Sequence, residues 1–296
     1  MVNNERENIK KKKLEDVRRL WYNFSRNPLS VFGLIMILLI VIIAIFAPLI
    51  SPYPESARKG VNFSEASLAP SWKYWCGTDV IGRDILSRIF FGFRSSLILG
   101  LIIMSISLPI GVVVGLIAGY YRHTWVDTVL TRTTDIFMAL PPLIMAMAVC
   151  SVLAPGIISA TFAISLAWWT IYCRLTYSIT TSLKNEFFVL SAEVIGASKL
   201  HILFKEILPN CLGPLLTKAT LDMGWVILLG SSLSFIGLGA QPPTPDLGSM
   251  VAEGSKYLPD QWWMFVFPAL FIMIIVLSFN LLGDGIRDAL GSSEKG

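Results

Sequence analysis

The sequence predicts an all-α bundle of six transmembrane helices with both termini cytoplasmic, and three observations carry that prediction. The chain is 54% hydrophobic and only 15% charged, with a mean hydropathy of +0.65, values of polytopic membrane proteins rather than soluble domains. Its uncharged runs are long enough to cross a ~30 Å hydrocarbon core as helices. Its basic residues fall mostly on one side of the membrane that those runs define.

Residues 1–28 form a basic N-terminus, with Lys10 to Lys13, Arg18, Arg19 and Arg26 ahead of the first apolar run. No small-x-small cleavage site follows, so the segment reads as a cytoplasmic flank and not as a removable signal. Residues 29–50 carry no charge and make the first span. Residues 51–93 make an extracytoplasmic loop. The second uncharged run lies between Arg94 and Arg122. The third, Ile136 to Cys173, holds 38 residues without a charge, too many for one crossing. Ala154-Pro155-Gly156 breaks it into a helical hairpin. Runs at 221–241 and 262–283 complete the six, and residues 285–296 form a cytoplasmic tail. With this topology 17 of the Lys and Arg residues lie inside and 7 outside, six of the latter in the long loop that ends at Arg94. Long loops weigh little in the positive-inside rule, so the orientation stands.

Four cysteines (Cys76, Cys150, Cys173, Cys211) and two histidines (His123, His201) show no metal-ligand spacing, so no metal site is expected and the thiols read as small apolar side chains. Trp168, Trp169, Trp262 and Trp263 fall near the expected outer ends of spans, where amphipathic rings anchor at the interface. Gly111, Gly115 and Gly119 recur every four residues, the small-residue spacing that lets two membrane helices approach closely. The spans hold almost no ionisable groups. Asp222, placed near a span end, is the nearest exception. A proton- or ion-coupled carrier would keep buried relays, so energy must come from elsewhere.

Residues 77–84 begin like a phosphate-binding loop, but Arg83 stands where Lys is required and Asp84 where a Mg²⁺-holding Ser or Thr belongs. The chain is not expected to bind ATP, or to be an enzyme. In the same stretch Asp79, Arg83, Asp84, Arg88 and Arg94 alternate in sign, with Ile85, Leu86, Ile89 and Phe90 between them. This pattern predicts an amphipathic helix leading into the second span, either solvated or docking a partner.

Residues 184–210, on the cytoplasmic side, hold two helix-length amphipathic patterns. Glu186 to Ile195 carries Phe187, Phe188, Leu190, Val194 and Ile195. Lys199 to Leu208 carries Leu200, Leu203, Phe204 and Ile207. Gly196 allows the turn between them, and Pro209 is expected to stop the second helix before the next span. Such a knob either packs on the chain's own spans or fills a groove on a partner.

The run Ala192-Glu193-Val194-Ile195-Gly196-Ala197-Ser198, followed by Ile207-Leu208-Pro209-Asn210, resembles the EAA loop of bacterial ABC importer permeases. Gly77, Thr78, Asp79, Gly82, Arg83 and Asp84, with Ser87, Arg88, Gly92, Arg94, Ser96 and Leu97, resemble the signature of C-type permeases of the dipeptide, oligopeptide and nickel family. Residues 27–53 and Phe279 to Leu290 resemble that subfamily's two ends. The resemblance covers about 27–290 and departs at Leu190 and Ser191, where the triplet Glu and first Ala would stand, and at Glu206.

The resemblance implies a type-1 ABC importer transmembrane domain at 94–284, with 184–210 as the coupling loop and Ser191, Ala192, Gly196, Ala197, Ser198 and Pro209 in contact with ATPases. It implies a homologous second permease in a heterodimer, two cytoplasmic ATPase subunits and an extracytoplasmic solute-binding protein. The surroundings are the lipid of a bacterial inner membrane, and no nucleic acid is expected. No cofactor is expected on this chain, ATP and Mg²⁺ being bound by the partner subunits. The expected cargo is a di- or oligopeptide, with nickel or another metal chelate as the alternative. A channel or scaffold without energy input is the rival from another class.

Overall fold

The computed structural model describes residue 15, residues 18–57 and residues 60–291. The basic stretch Lys10–Lys13 and the last five residues of the tail lie outside the described residues. After a helical segment at 18–25, ten named helices order the described residues. They are α1 (Pro28–Ile50), α2 (Ile85–Tyr120), α3 (Trp125–Met138), α4 (Pro142–Val152), α5 (Ile157–Leu183), α6 (Phe187–Val194), the short α7 (Lys199–His201), α8 (Leu208–Phe235), α9 (Leu247–Ser255) and α10 (Trp263–Gly291). No strand appears among the described residues, apart from a single bridge between Thr78 and Asp84. Five helical stretches are long and apolar enough to cross a membrane, and α3 with α4 makes a sixth if that bent pair is one span.

α1 begins where Asn27 accepts a hydrogen bond from the Leu29 N–H and Pro28 supplies a preset φ at the first helical position. Its buried stripe, Ser30, Gly33, Ile37, Ile40, Ala44 and Ala47, repeats at three and four residues and packs on α10 and α2. The opposite face, with Leu29, Phe32, Ile35, Leu39 and Ile42 exposed, is what a lipid-facing helix requires.

The tightest pairing is α2 against α5. A Cβ added at Gly111 would sit 2.3 Å from the Trp169 carbonyl oxygen, and one at Gly115 2.5 Å from that of Cys173. At Gly119 it would lie 2.8 Å from the Thr180 Cβ. The three glycines therefore form a groove into which the α5 backbone fits directly. Ile103, Leu116, Ile164 and Tyr172 are fully buried around that seam.

Several expected elements take a different form. The hairpin break at Ala154-Pro155-Gly156 falls between α4 and α5, but the first arm is not a straight helix starting at Ile136. α3 and α4 meet at 84°, because Pro141 and Pro142 lack N–H donors and disfavour helical backbone at Leu140. Trp168 and Trp169 lie well inside α5, far from its outer end. Trp168 is buried in the core, and the half-buried Trp169 packs edge-on against Phe137 at 5.7 Å, so neither ring sits at the helix's outer end. Asp222 is fully buried in the middle of α8, where the Lys218 ammonium, one turn away, donates to it at 2.6 Å.

Candidate functional site

The segment between α5 and α8 is a compact knob built from α6, a turn, and a second helix. α6 ends in two reverse hydrogen bonds, from the Ala197 N–H to the Ala192 carbonyl and from the Gly196 N–H to the Glu193 carbonyl, each 3.0 Å. This is the Schellman arrangement, which needs a left-handed residue after the helix. Gly196 supplies it at φ +82°. Ser198 then caps the next helix by accepting from the His201 N–H at 3.3 Å.

Pro209 does not stop that helix. Residues Ile202–Ile207 form a π-helical turn that passes straight into α8, and the Leu208 N–H reaches back to the Leu203 carbonyl. Pro209 then falls just after the π turn, whose wider winding absorbs its missing N–H. The change of winding also rotates the inward face. Ile202, Leu203 and Ile207 are buried, while Leu200 and Phe204 point outward.

The knob is bolted to the inner end of α2. The Tyr120 hydroxyl donates to Glu193 at 2.9 Å, and the Lys184 ammonium donates to the Tyr120 carbonyl at 2.6 Å. The Lys184 and Lys199 ammonium groups sit over the rings of Tyr120 and Tyr121, at 5.2 and 5.3 Å from the centroids. Val189 and Ala192 face the bundle and are buried. The other side is bare. Phe187 is 87% exposed, Val194 87% and Ile195 84%, with Leu200 also open. Ser191, Ser198 and Pro209 are exposed beside them, Ala197 is half-buried, and a Cβ at Gly196 would meet nothing within 4 Å. An apolar surface on a rigidly held knob is the form an interaction site takes.

At the other end of the bundle the eight residues from Gly77 to Asp84 occupy a tight turn, not the start of the expected helix. The helix begins at Ile85 and runs unbroken through Arg94. Asp84 caps it, accepting from the Ser87 N–H at 2.8 Å and the Ser87 hydroxyl at 2.6 Å. Its burial still raises the carboxyl pKa. Gly82 adopts φ +80°, and a Cβ there would lie 1.9 Å from the Asn62 carbonyl oxygen. The Thr78 hydroxyl donates to the Glu65 carbonyl at 2.6 Å. The Thr78 carbonyl accepts from the indole of Trp263 at 3.2 Å, so Trp263, expected as an interface anchor, is a buried fastener. Gly77 lies against that same indole.

Of the alternating charges only Arg94 is exposed. Asp79, Arg83 and Arg88 are all buried. The Asp79 carboxylate accepts from the Arg83 N–H at 2.9 Å, from its Nε at 2.6 Å and from Arg88 at 2.5 Å. Glu253, on α9, faces both guanidinium groups at 3.5 and 3.6 Å. Sequence reading missed Glu253, because α9 looks like loop and lies far along the chain. The neighbouring Cys76 thiol is pushed up to about 12 by burial and by Asp84, which leaves it unreactive.

Comparison with known proteins agrees with this architecture. Residues 111–295 match the family model "Binding-protein-dependent transport system inner membrane component", and residues 17–70 match "N-terminal TM domain of oligopeptide transport permease C". The dipeptide transport system permease protein DppC of Haemophilus influenzae is 41% identical over 94% of this chain and 95% of its own length. The di/tripeptide permease DppC of Pseudomonas aeruginosa is 39% identical over 94% and 93%. The glutathione permease GsiD of Escherichia coli is 39% identical over 93% and 90%. Among solved structures, an inward-facing MetNI methionine ABC transporter shares the fold, with a TM-score of 0.52 at 17% identity over 69% of this chain and 95% of that one. With its type-1 bundle and the added helix α1, this chain belongs to the binding-protein-dependent transport system inner membrane components, of the permease C type.

Proposed function

We propose that this permease subunit forms half of the path by which di- or oligopeptides enter the cell, driven by ATPase subunits that dock on its 184–210 knob. The observation that carries the reading is the exposed apolar face of Phe187, Val194, Ile195 and Leu200, held in one orientation by the Gly196 turn and the Tyr120 and Lys184 contacts. Peptide cargo is supported by relatives named for dipeptides, di/tripeptides and glutathione. That company does not favour nickel or another chelate.

The full assembly would hold a homologous second permease, two cytoplasmic ATPases and an extracytoplasmic solute-binding protein. ATP and Mg²⁺ would be bound by the ATPases, and this chain would bind no cofactor. Closure of the ATPase dimer would carry the two knobs together. Because the knob is continuous with α8 through the π turn, that motion would pass into the bundle as a rigid-body swing.

Gly196→Val tests the coupling. A β-branched residue at φ +82° costs about 1–3 kcal/mol of local strain, yet it meets no neighbour. Membrane insertion should survive while uptake of labelled peptide in proteoliposomes separates from ATP hydrolysis. Wild-type uptake by this variant would sink the coupling reading.

A further inference from the structure

We propose that a cavity at the extracytoplasmic mouth, between α9 and the outer end of α8, is a reception site for the C-terminal carboxylate of the incoming peptide. The inference rests on the peptide reading of the cargo. The cavity measures about 440 Å³ and is lined by Arg88, Phe235, Ile236, Gln241, Glu253 and Lys256 among others, a size suited to a small guest. Its chemistry is divided. Phe235 and Ile236 are exposed on one wall, and Arg88 and Lys256 bring positive charge to the other.

Arg88 is the anchor. It is nine-tenths buried, and its Nε has no partner. A buried guanidinium left with an unused donor gains more from a carboxylate than from a neutral acceptor. The two acids beside it are not equivalent. Asp79 is buried, sits at 2.5–2.6 Å from the guanidinium groups of Arg83 and Arg88, and also holds the backbone of the turn. Glu253 stands at 3.5 and 3.6 Å with its side chain 42% exposed. It marks where a carboxylate belongs while being held loosely enough to leave. With Glu253 turned out, Arg83 and Arg88 outweigh Asp79 by one charge, and Lys256 on the wall adds another. A peptide carboxylate takes the place that Glu253 leaves, and its side chains meet the apolar wall.

The test uses the full membrane complex in lipid nanodiscs without the solute-binding protein, titrated with trialanine and with trialaninamide. The site requires trialanine to bind at least about tenfold more tightly, the equivalent of one charge-assisted hydrogen bond. Glu253→Gln removes the competing carboxylate and should tighten trialanine severalfold while leaving the amide unchanged. Lys256→Gln should weaken trialanine alone. Both positions are partly exposed, so a melting curve can confirm that the variants are folded. Equal affinity for acid and amide, binding of neither, or indifference to Glu253→Gln each overturns the site. Uptake of labelled trialanine by the complete system is measured alongside. Uptake together with a failed titration removes the site and keeps the peptide reading. Absence of uptake removes both.

Discussion

The two ends of the bundle are finished by opposite means. At the extracytoplasmic end, Asp79, Arg83 and Arg88 are buried and paired within the chain, and Trp263 reaches across to hold the Thr78 carbonyl. At the cytoplasmic end, Phe187, Val194 and Ile195 stand in the open on a knob whose own contacts are made by other residues. Burying charge is costly unless every group finds a partner, and exposing apolar surface is costly unless a partner covers it. The outer end meets its condition internally at all but one donor, the Arg88 Nε. The inner end does not meet its condition within the chain's described residues. A side chain's burial therefore says less about its role than whether the chain alone can satisfy it.

The largest effect should come from breaking the outer end. Asp79→Ala leaves two buried guanidinium groups facing the half-exposed Glu253 alone, and removing one partner of a buried pair costs about 3–5 kcal/mol. Thermal unfolding in detergent should show a marked loss, with the 51–84 loop becoming open to proteolysis. Phe187→Asp together with Val194→Ser should leave the same melting curve almost unmoved, since surface changes away from packed features stay within about 0.5 kcal/mol. That double variant should instead lose the co-purifying ATPase subunits. If the knob variant melts early and Asp79→Ala does not, the contrast between the two ends is wrong.

Next in size is the seam that joins them. Gly115→Ala places a Cβ 2.5 Å from the Cys173 carbonyl oxygen, and overpacking of this kind costs about 1–3 kcal/mol. Gly196→Ala in the knob meets no atom at all and carries only the strain of its left-handed backbone, about 1–2 kcal/mol. Melting curves of the two variants separate a glycine needed for approach from one needed for conformation. Only the first should also weaken under conditions that loosen helix packing.

Much of this was legible beforehand, and the reasons are physical. Lipid tolerates no unpaired polar backbone, so uncharged runs located the spans, and the four-residue glycine spacing pointed to a close helix seam before a partner was known. Gly196 was readable because a turn between two amphipathic patterns has few residues that suit it. Pro209 misled because its lost N–H can be absorbed by a π turn as well as by a helix end, and only the hydrogen bond from Leu208 to Leu203 distinguishes them. The charges at 79–88 misled for a different reason. Alternating sign at helical spacing describes a solvated face equally well, and the partner that buries them, Glu253, lies in a segment with no charge pattern of its own. The pair Pro141-Pro142 did carry a signal for the bend in the third span, hidden inside a run read only for its lack of charge.

The smallest effect separates a second layer within the outer end. The Glu65 carboxylate accepts from the Lys73 ammonium and from the Tyr74 hydroxyl, the latter at 2.5 Å. The Lys73 hydrogen bond, then that of Tyr74, holds its pKa below the ordinary value of 4.5. A carboxylate with a depressed folded pKa adds stability that is present above 4.5 and fades as pH falls through its folded value. This cluster lies at the surface, so the contribution is weak. The fluorescence of Trp72 and Trp75, which flank Lys73 and Tyr74, should therefore change in acid, below the ordinary value of 4.5, while the global melt barely moves, and Glu65→Gln should abolish that change. A wild-type response retained in Glu65→Gln would place the titration elsewhere in the loop. A global melt that followed the same pH course would mean that this surface cluster, and not the buried Asp79 pair alone, holds the outer end closed.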